Sequence, residues 1–185
     1  MNPRRSQHTN YDYLEVLLYE FKENFFIIQR GQQGVTPNPA HGPEQRASEN
    51  VKLYAKLQST CTDEDLGEKT LAALNCFDTI APSYDPWDNA KLAKQVKTWL
   101  NASSLKEIDI KSRTVKITKN IKPPKAYSIL PFDNFNSSSW CSPMEGMAIT
   151  LDATAPILTL GNAVRRAFTI ARHHPSYAAP SEIIR

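Results

Sequence analysis

"TDEDLGEKTLAALNCF", from Thr62 to Phe77, reads as a helix carrying its own start signal. The Thr62 hydroxyl can accept from first-turn N–H groups, and Asp63, Glu64 and Asp65 set negative charge against the positive end of the helix dipole. Leu66, Thr70, Ala73, Leu74 and Phe77 then recur at three- and four-residue steps, the stripe of a helix with one buried side. A later stretch, "TAPILTLGNAVRRAFTIAR" from Thr154 to Arg172, has the same outline. Laying Leu66-Gly67 over Leu160-Gly161 brings Leu57 onto Leu151, Thr60 onto Thr154, Ala73 onto Ala167 and Leu74 onto Phe168. In each copy a strand leads through a polar turn into a helix that contains a glycine. A glycine inside a helix costs about 1 kcal/mol relative to alanine. Meeting that cost twice at one position implies close backbone packing, and the expected neighbour is a sheet.

Working outward, the spacing predicts two strands before the first copy, Leu14 to Phe21 and Phe25 to Arg30, joined by a turn at Lys22-Glu23-Asn24. Residues 31–50 hold three glycines and three prolines and read as a mobile loop. "VKLYAKL" alternates, which places Val51, Leu53, Ala55 and Leu57 on one face of a third strand. Asp85 as cap and Pro86 at the first helical position start a second helix, with Leu92, Val96, Trp99 and Leu100 on its buried side. Ser104 to Ile110 and Arg113 to Lys119 both alternate and are expected to form a hairpin through Lys111-Ser112. Ala126 to Leu130 and Met147 to Leu151 are further strands, and a polar loop spans Pro131 to Pro143. Pro156 to Arg172 is the last helix, and 173–185 is a tail.

Length and composition bound the answer. A chain of 185 residues with 41% hydrophobic and 22% charged residues can bury one sizeable core, so a single pseudo-duplicated domain over 1–185 is expected. A net charge of +3 is too mild for a dedicated nucleic-acid coat. The first ten residues carry two arginines without an apolar core behind them, and "FFII" at Phe25 to Ile28 is too short to span a membrane. The expectation is a cytoplasmic protein without a membrane partner. Cys61, Cys76 and Cys141 are odd in number, lack metal-ligand spacing, and read as small apolar residues.

The two units, "LQSTCTDEDLGEKTLAALNCF" and "ITLDATAPILTLGNAVRRAF", together with the lysine-bearing helix and hairpin between them, resemble the immunity proteins of contact-dependent growth inhibition. The resemblance lies in segment order from Val51 to Arg172. The second unit departs from the pattern, because "TAPILTLG" has no acidic residues before Leu160-Gly161. The resemblance implies an α+β, Whirly-like fold in which a duplicated strand–helix unit gives two antiparallel sheets with packed helices. It also implies a function: binding and neutralising the cognate C-terminal nuclease toxin domain of a large adhesin, as a heterodimer, in the cytosol.

No catalytic constellation is legible, and no cofactor or metal is expected. His8, His41, His173 and His174 fall in predicted loops or tails; the last two follow a helix, where positive charge suits the C-terminal end of the dipole. The carboxylates of "TDEDLGE" are more ordinary as helix-start electrostatics than as a metal site. No Gly-rich phosphate loop, HExxH or nucleophile elbow is present, so an enzyme is not expected. An inhibitor of a nuclease with a basic cleft would offer carboxylates beside an aromatic anchor. The candidates are Asp63, Glu64, Asp65 and Glu68 on the first helix, Asp85, Trp87 and Asp88 at the second, and Phe135 and Trp140 on the polar loop. The alternative is a small module binding RNA or single-stranded nucleic acid through Lys106, Lys111, Arg113, Lys116 and Lys119, with Lys122 and Lys125 beyond.

Overall fold

The structure, a computed structural model, describes residues 13–32, 48–76, 89–134 and 142–177. The described strands are β1 (Tyr13–Phe21), β2 (Asn24–Gln32), β3 (Ser48–Gln58), β4 (Arg113–Asn120), β5 (Ala126–Asp133), β6 (Ser142–Pro143) and β7 (Ile149–Asp152). The helices are α1 (Asp63–Asn75), α2 (Asn89–Trp99), α3 (Leu105–Lys111) and α4 (Ile157–Ile170), and a 3-10 turn, Glu145–Met147, precedes β7.

β1 and β2 are apolar at consecutive positions, as strands covered on both faces must be. Val16, Leu18, Phe25 and Ile27 point to one core, while Phe21, Phe26 and Ile28 point to another. Lys22 and Glu23 make the connecting turn with left-handed φ values of 48° and 59°, which matches the twist of a two-residue hairpin. The strands form one antiparallel seven-stranded sheet in the order β3-β2-β1-β4-β5, with β6 and β7 both on the far side of β5. The two sheets expected from the resemblance are therefore a single sheet. β1 pairs with β4 from Tyr13↔Asn120 to Glu20↔Arg113, and this long central ladder joins the two halves.

Each half follows the same path. β1, β2 and β3 run as a meander into α1; β4, β5 and β7 run as a meander into α4. At the centre Val16 pairs with Ile117 and Leu18 with Val115. Further out, Ile27 pairs with Ala55 and Phe25 with Leu57 in one half, as Ile129 pairs with Ile149 and Tyr127 with Leu151 in the other. α1 and α4 come over one face from the two opposite edges. Leu66, Leu74, Leu160, Val164 and Phe168 close the core there on Val115, Ile117, Tyr127 and Ile129. Burying side chains of this size contributes about 1.5–3 kcal/mol each. α2 and α3 cover the other face, where Val96, Leu100 and Ile108 meet Phe21, Phe26 and Ile28, with Trp99 half-buried beside them.

Further expectations need correction, among them the polar loop over Pro131 to Pro143, since β5 runs to Asp133 and Ser142–Pro143 is β6. Ser104 to Ile110 is not a strand: Leu105–Lys111 is α3, and only Ile108 of it is buried. The cause is a cap that outweighs the short alternation. Ser104 Oγ accepts from the Glu107 backbone N–H at 3.0 Å, and the Glu107 carboxylate accepts from the Ser103 N–H at 2.7 Å. β3 does not alternate throughout either. Its register on β2 skips Tyr54 between Ile27↔Ala55 and Ile28↔Leu53, a bulge that turns Leu53 to the α2 side while Tyr54, Ala55 and Leu57 stay on the α1 side. The loop expected over 31–50 loses both ends to strands, since β2 runs to Gln32 and β3 begins at Ser48; 33–47 lie outside the described residues.

Glu107 also ties the layers together. Its carboxylate takes Lys111 at 3.2 Å and Lys22, from the β1–β2 turn, at 3.4 Å, while Lys22 donates to the Asn101 carbonyl at 3.1 Å. The hydrogen bonds from the Ser103 backbone and hydroxyl, with Lys111 behind them, pull its pKa from 4.5 down to about 2. The folded state favours the ionised form, so its stabilising contribution is complete above pH 4.5 and disappears as pH falls towards 2. Glu107→Gln should lower the urea midpoint at neutral pH and flatten its pH dependence across that acid range. Urea titrations of both proteins at stepped pH check this.

Candidate functional site

The site grows out of the two glycines. A Cβ on Gly67 would lie 2.2 Å from the Ile157 carbonyl oxygen, and one on Gly161 would lie 1.6 Å from that of Asp63 and 2.9 Å from the Gly67 nitrogen. The neighbour that requires glycine is thus the other helix, not the sheet. α1 and α4 cross backbone against backbone, an approach that any side chain at either position would prevent. Helical spacing then fixes which residues flank the crossing. Leu66 and Thr70, one before and three after Gly67, are buried, as are Leu160 and Val164 around Gly161. Glu64 and Glu68, at the opposite offsets on α1, are exposed, and so are Leu158 and Asn162 on α4. Leu158 is 59% exposed and the adjoining Ile157 38%, large values for apolar side chains.

Arg165 locks the crossing from the side. It pairs with Asp63 through Nε, donates to the Ser59 carbonyl at 2.9 Å and to that of Cys61 at 2.5 Å, and lies 5.5 Å from the Phe25 ring centroid. Asn162 adds a hydrogen bond to the same carboxylate at 3.2 Å. The hydrogen bond from Arg165 holds the Asp63 carboxyl below the usual carboxylate range, against a smaller opposing effect of burial.

The expected partner-binding residues therefore have different fates. Asp63 is engaged inside the protein, between the two helices. Asp65 serves the cap: the Thr62 hydroxyl accepts from its N–H at 3.0 Å while its own carboxylate bonds back to Thr62. Glu64 is exposed, and Glu68 lies 3.6 Å from the half-exposed Lys69. That contact is worth little in open solvent. Asp85, Trp87, Asp88, Phe135 and Trp140 lie outside the described residues.

The basic residues of the alternative do not gather into one surface. Lys106 and Lys111 belong to α3 rather than to a hairpin, and Lys111 is engaged by Glu107. Arg113 pairs with Glu20. Lys116 sits 4.0 Å from the buried Glu15, which also holds Arg30 at 3.1 Å. Lys119 lies on the other face of β4, 5.6 Å from the Tyr127 ring centroid. Half of the expected hairpin is a helix, so strand alternation does not set these side chains on one face. His173 departs from expectation too: burial, then Arg113, pushes it down to about 4, so it is neutral at physiological pH and packs its ring 4.5 Å from that of Tyr177.

Ile157, Leu158 and Arg165 are not among the residues the sequence marks out. Arg165 carried no local signal, since its partners lie on the turn before α1. Leu158 could have been found by the overlay of the two glycines, which sets it on the exposed Glu64.

Among the described residues, no helix is long and apolar enough to cross a membrane. No family model matches the chain, and no curated protein matches it. Solved structures do share its backbone arrangement. One is a protein of unknown function from Neisseria meningitidis, with a TM-score of 0.60 and 13% identity over 86% of this chain and 96% of that chain. Another is a chain of the CdiA-CT/CdiI toxin and immunity complex from Yersinia pseudotuberculosis, with a TM-score of 0.62 and 13% identity over 88% of this chain and 99% of that chain. At this identity the likeness is one of fold, and the fold is α+β.

Proposed function

We propose that this chain is an immunity protein that binds and neutralises the cognate C-terminal nuclease toxin of a contact-dependent growth inhibition adhesin in the cytosol. The observation that carries the reading is the fold likeness to a chain of a toxin and immunity complex, which spans almost the whole of both chains. The segment order noted in the sequence points the same way independently. In this reading the chain is a binding protein, works without catalysis or cofactor, and forms a heterodimer with its toxin. The two meander-and-helix halves are read as copies of one Whirly-like unit, which the matching registers and the paired glycines support. The nucleic-acid reading draws no support from the dispersed lysines.

The test is growth. The C-terminal toxin domain of a cognate contact-dependent growth inhibition adhesin, induced in a sensitive host, should arrest growth, and co-expression of this chain should restore it fully. Arrest that persists despite soluble expression of this chain would reject the proposal.

A further inference from the structure

We infer that the outer face of the α1–α4 crossing is the docking surface for the toxin, with Leu158 and Ile157 as an apolar anchor and Glu64 and Glu68 as an acidic rim. The partner is then a protein surface with an apolar pocket bordered by lysine or arginine. The inference rests on the toxin-binding reading above and names the surface within it.

Three observations converge on this face. Leu158 and Ile157 are consecutive in the first turn of α4, and both stand out from the core at 59% and 38% exposure. The glycine crossing brings them against α1, because the Ile157 carbonyl oxygen lies 2.2 Å from where a Cβ of Gly67 would be. Glu64 and Glu68 flank Gly67 on the same outward side as Leu158 and Asn162 flank Gly161. An exposed apolar pair bordered by carboxylates has the composition of an interface centre with a polar rim.

Charge decides the class of occupant. The chain as a whole is basic, at +3, yet this face carries Glu64 and Glu68, against which the described residues set only the half-exposed Lys69, 3.6 Å from Glu68. Nucleic acid and an anionic membrane surface would both be repelled by Glu64 and Glu68, whereas a membrane-binding helix places lysine or arginine beside its apolar side chains. Arg166, the exposed cation on α4, lies eight positions beyond Leu158, about 12 Å along the helix. A cationic protein surface fits, and opposite charge speeds its approach.

The probe is the purified C-terminal toxin domain of the cognate adhesin, titrated against this chain and its variants. Leu158→Asp should weaken binding at least 100-fold while leaving the thermal midpoint unchanged, since the side chain is already exposed; Leu158→Ala, which adds no charge, should weaken it at least tenfold. Glu64→Lys with Glu68→Lys should lower the association rate about tenfold at low salt and much less at high salt. Lys94→Glu, on the opposite layer, should stay within twofold of wild type. Wild-type binding that survives both Leu158 substitutions overturns the surface and leaves the immunity reading standing. Absence of wild-type binding overturns both. A wild-type dimer in sedimentation that Leu158→Asp dissolves would assign the face to a second copy of this chain and overturn the proposal.

Discussion

Gly161→Ala should destabilise the protein by about 3 kcal/mol, although alanine is the better helix former by about 1 kcal/mol. The added methyl would sit 1.6 Å from the Asp63 carbonyl oxygen, and what it meets is backbone, which cannot rotate aside. α4 must back away from α1, loosening the core between the helices and the sheet and stretching the Arg165 contacts. Gly67→Ala, with the Ile157 oxygen 2.2 Å from its new Cβ, should act in the same direction. Once either methyl has opened the crossing, the second meets less resistance. The double variant should therefore lose clearly less than the two single losses added together. Urea unfolding of the four proteins checks both the size and the coupling; additive or negligible losses would mean that the helices do not meet at these glycines.

Arg165→Met is the second large effect, expected at about 2–3 kcal/mol at neutral pH. Methionine keeps the aliphatic stem but leaves the Asp63 carboxylate without its main partner, and the Ser59 and Cys61 carbonyls without a donor. The pair is partly solvent-exposed, with side chains at 31% and 23%, which keeps the loss below that of a fully buried pair. The pH dependence separates charge from packing. Asp63 titrates below its ordinary 3.8 in the folded protein, so its contribution is fully present above that value and is lost as pH falls through the folded pKa. Wild type should lose that stability in acid, and Arg165→Met, which has already lost it, should show a flatter profile. Stability measured from pH 7 down to pH 3 for both proteins checks this.

The same two positions show how far the sequence could be read. The paired Leu-Gly dipeptides were visible, and so was the close backbone approach they imply. That each glycine faces the other was not, because contact between α1 and α4 depends on β3 and β7 lying at opposite edges of one sheet. Apolar runs and helix stripes placed β1, β2, α1 and α4, for burial on one or two faces leaves a periodic trace. α3 resembles a strand because Ile108 and Ile110 suit an alternating period while Leu105 and Ile108 suit a helical one, too few positions to decide over so short a span; the Ser104–Glu107 cap is the signal that decides it. The bulge at Tyr54 left no mark in an alternating run, since it is set by register on β2.

The site was legible in part. The carboxylates at the start of α1 stand out in the sequence as a group, but the sequence does not divide them. Asp63 turns inward because Arg165 reaches it across the crossing, Asp65 is bound into the cap, and Glu64 and Glu68 stay outside. Leu158 read as one more apolar residue of an amphipathic helix, and only the packing of α4 on α1 leaves it in water.

The central claim of the proposed function is neutralisation by direct binding, and the most direct measurement is the nuclease activity of a cognate adhesin's C-terminal toxin domain as this chain is added. The account predicts a linear fall in activity that reaches zero at one equivalent. Undiminished activity in the presence of several equivalents of folded protein would contradict it.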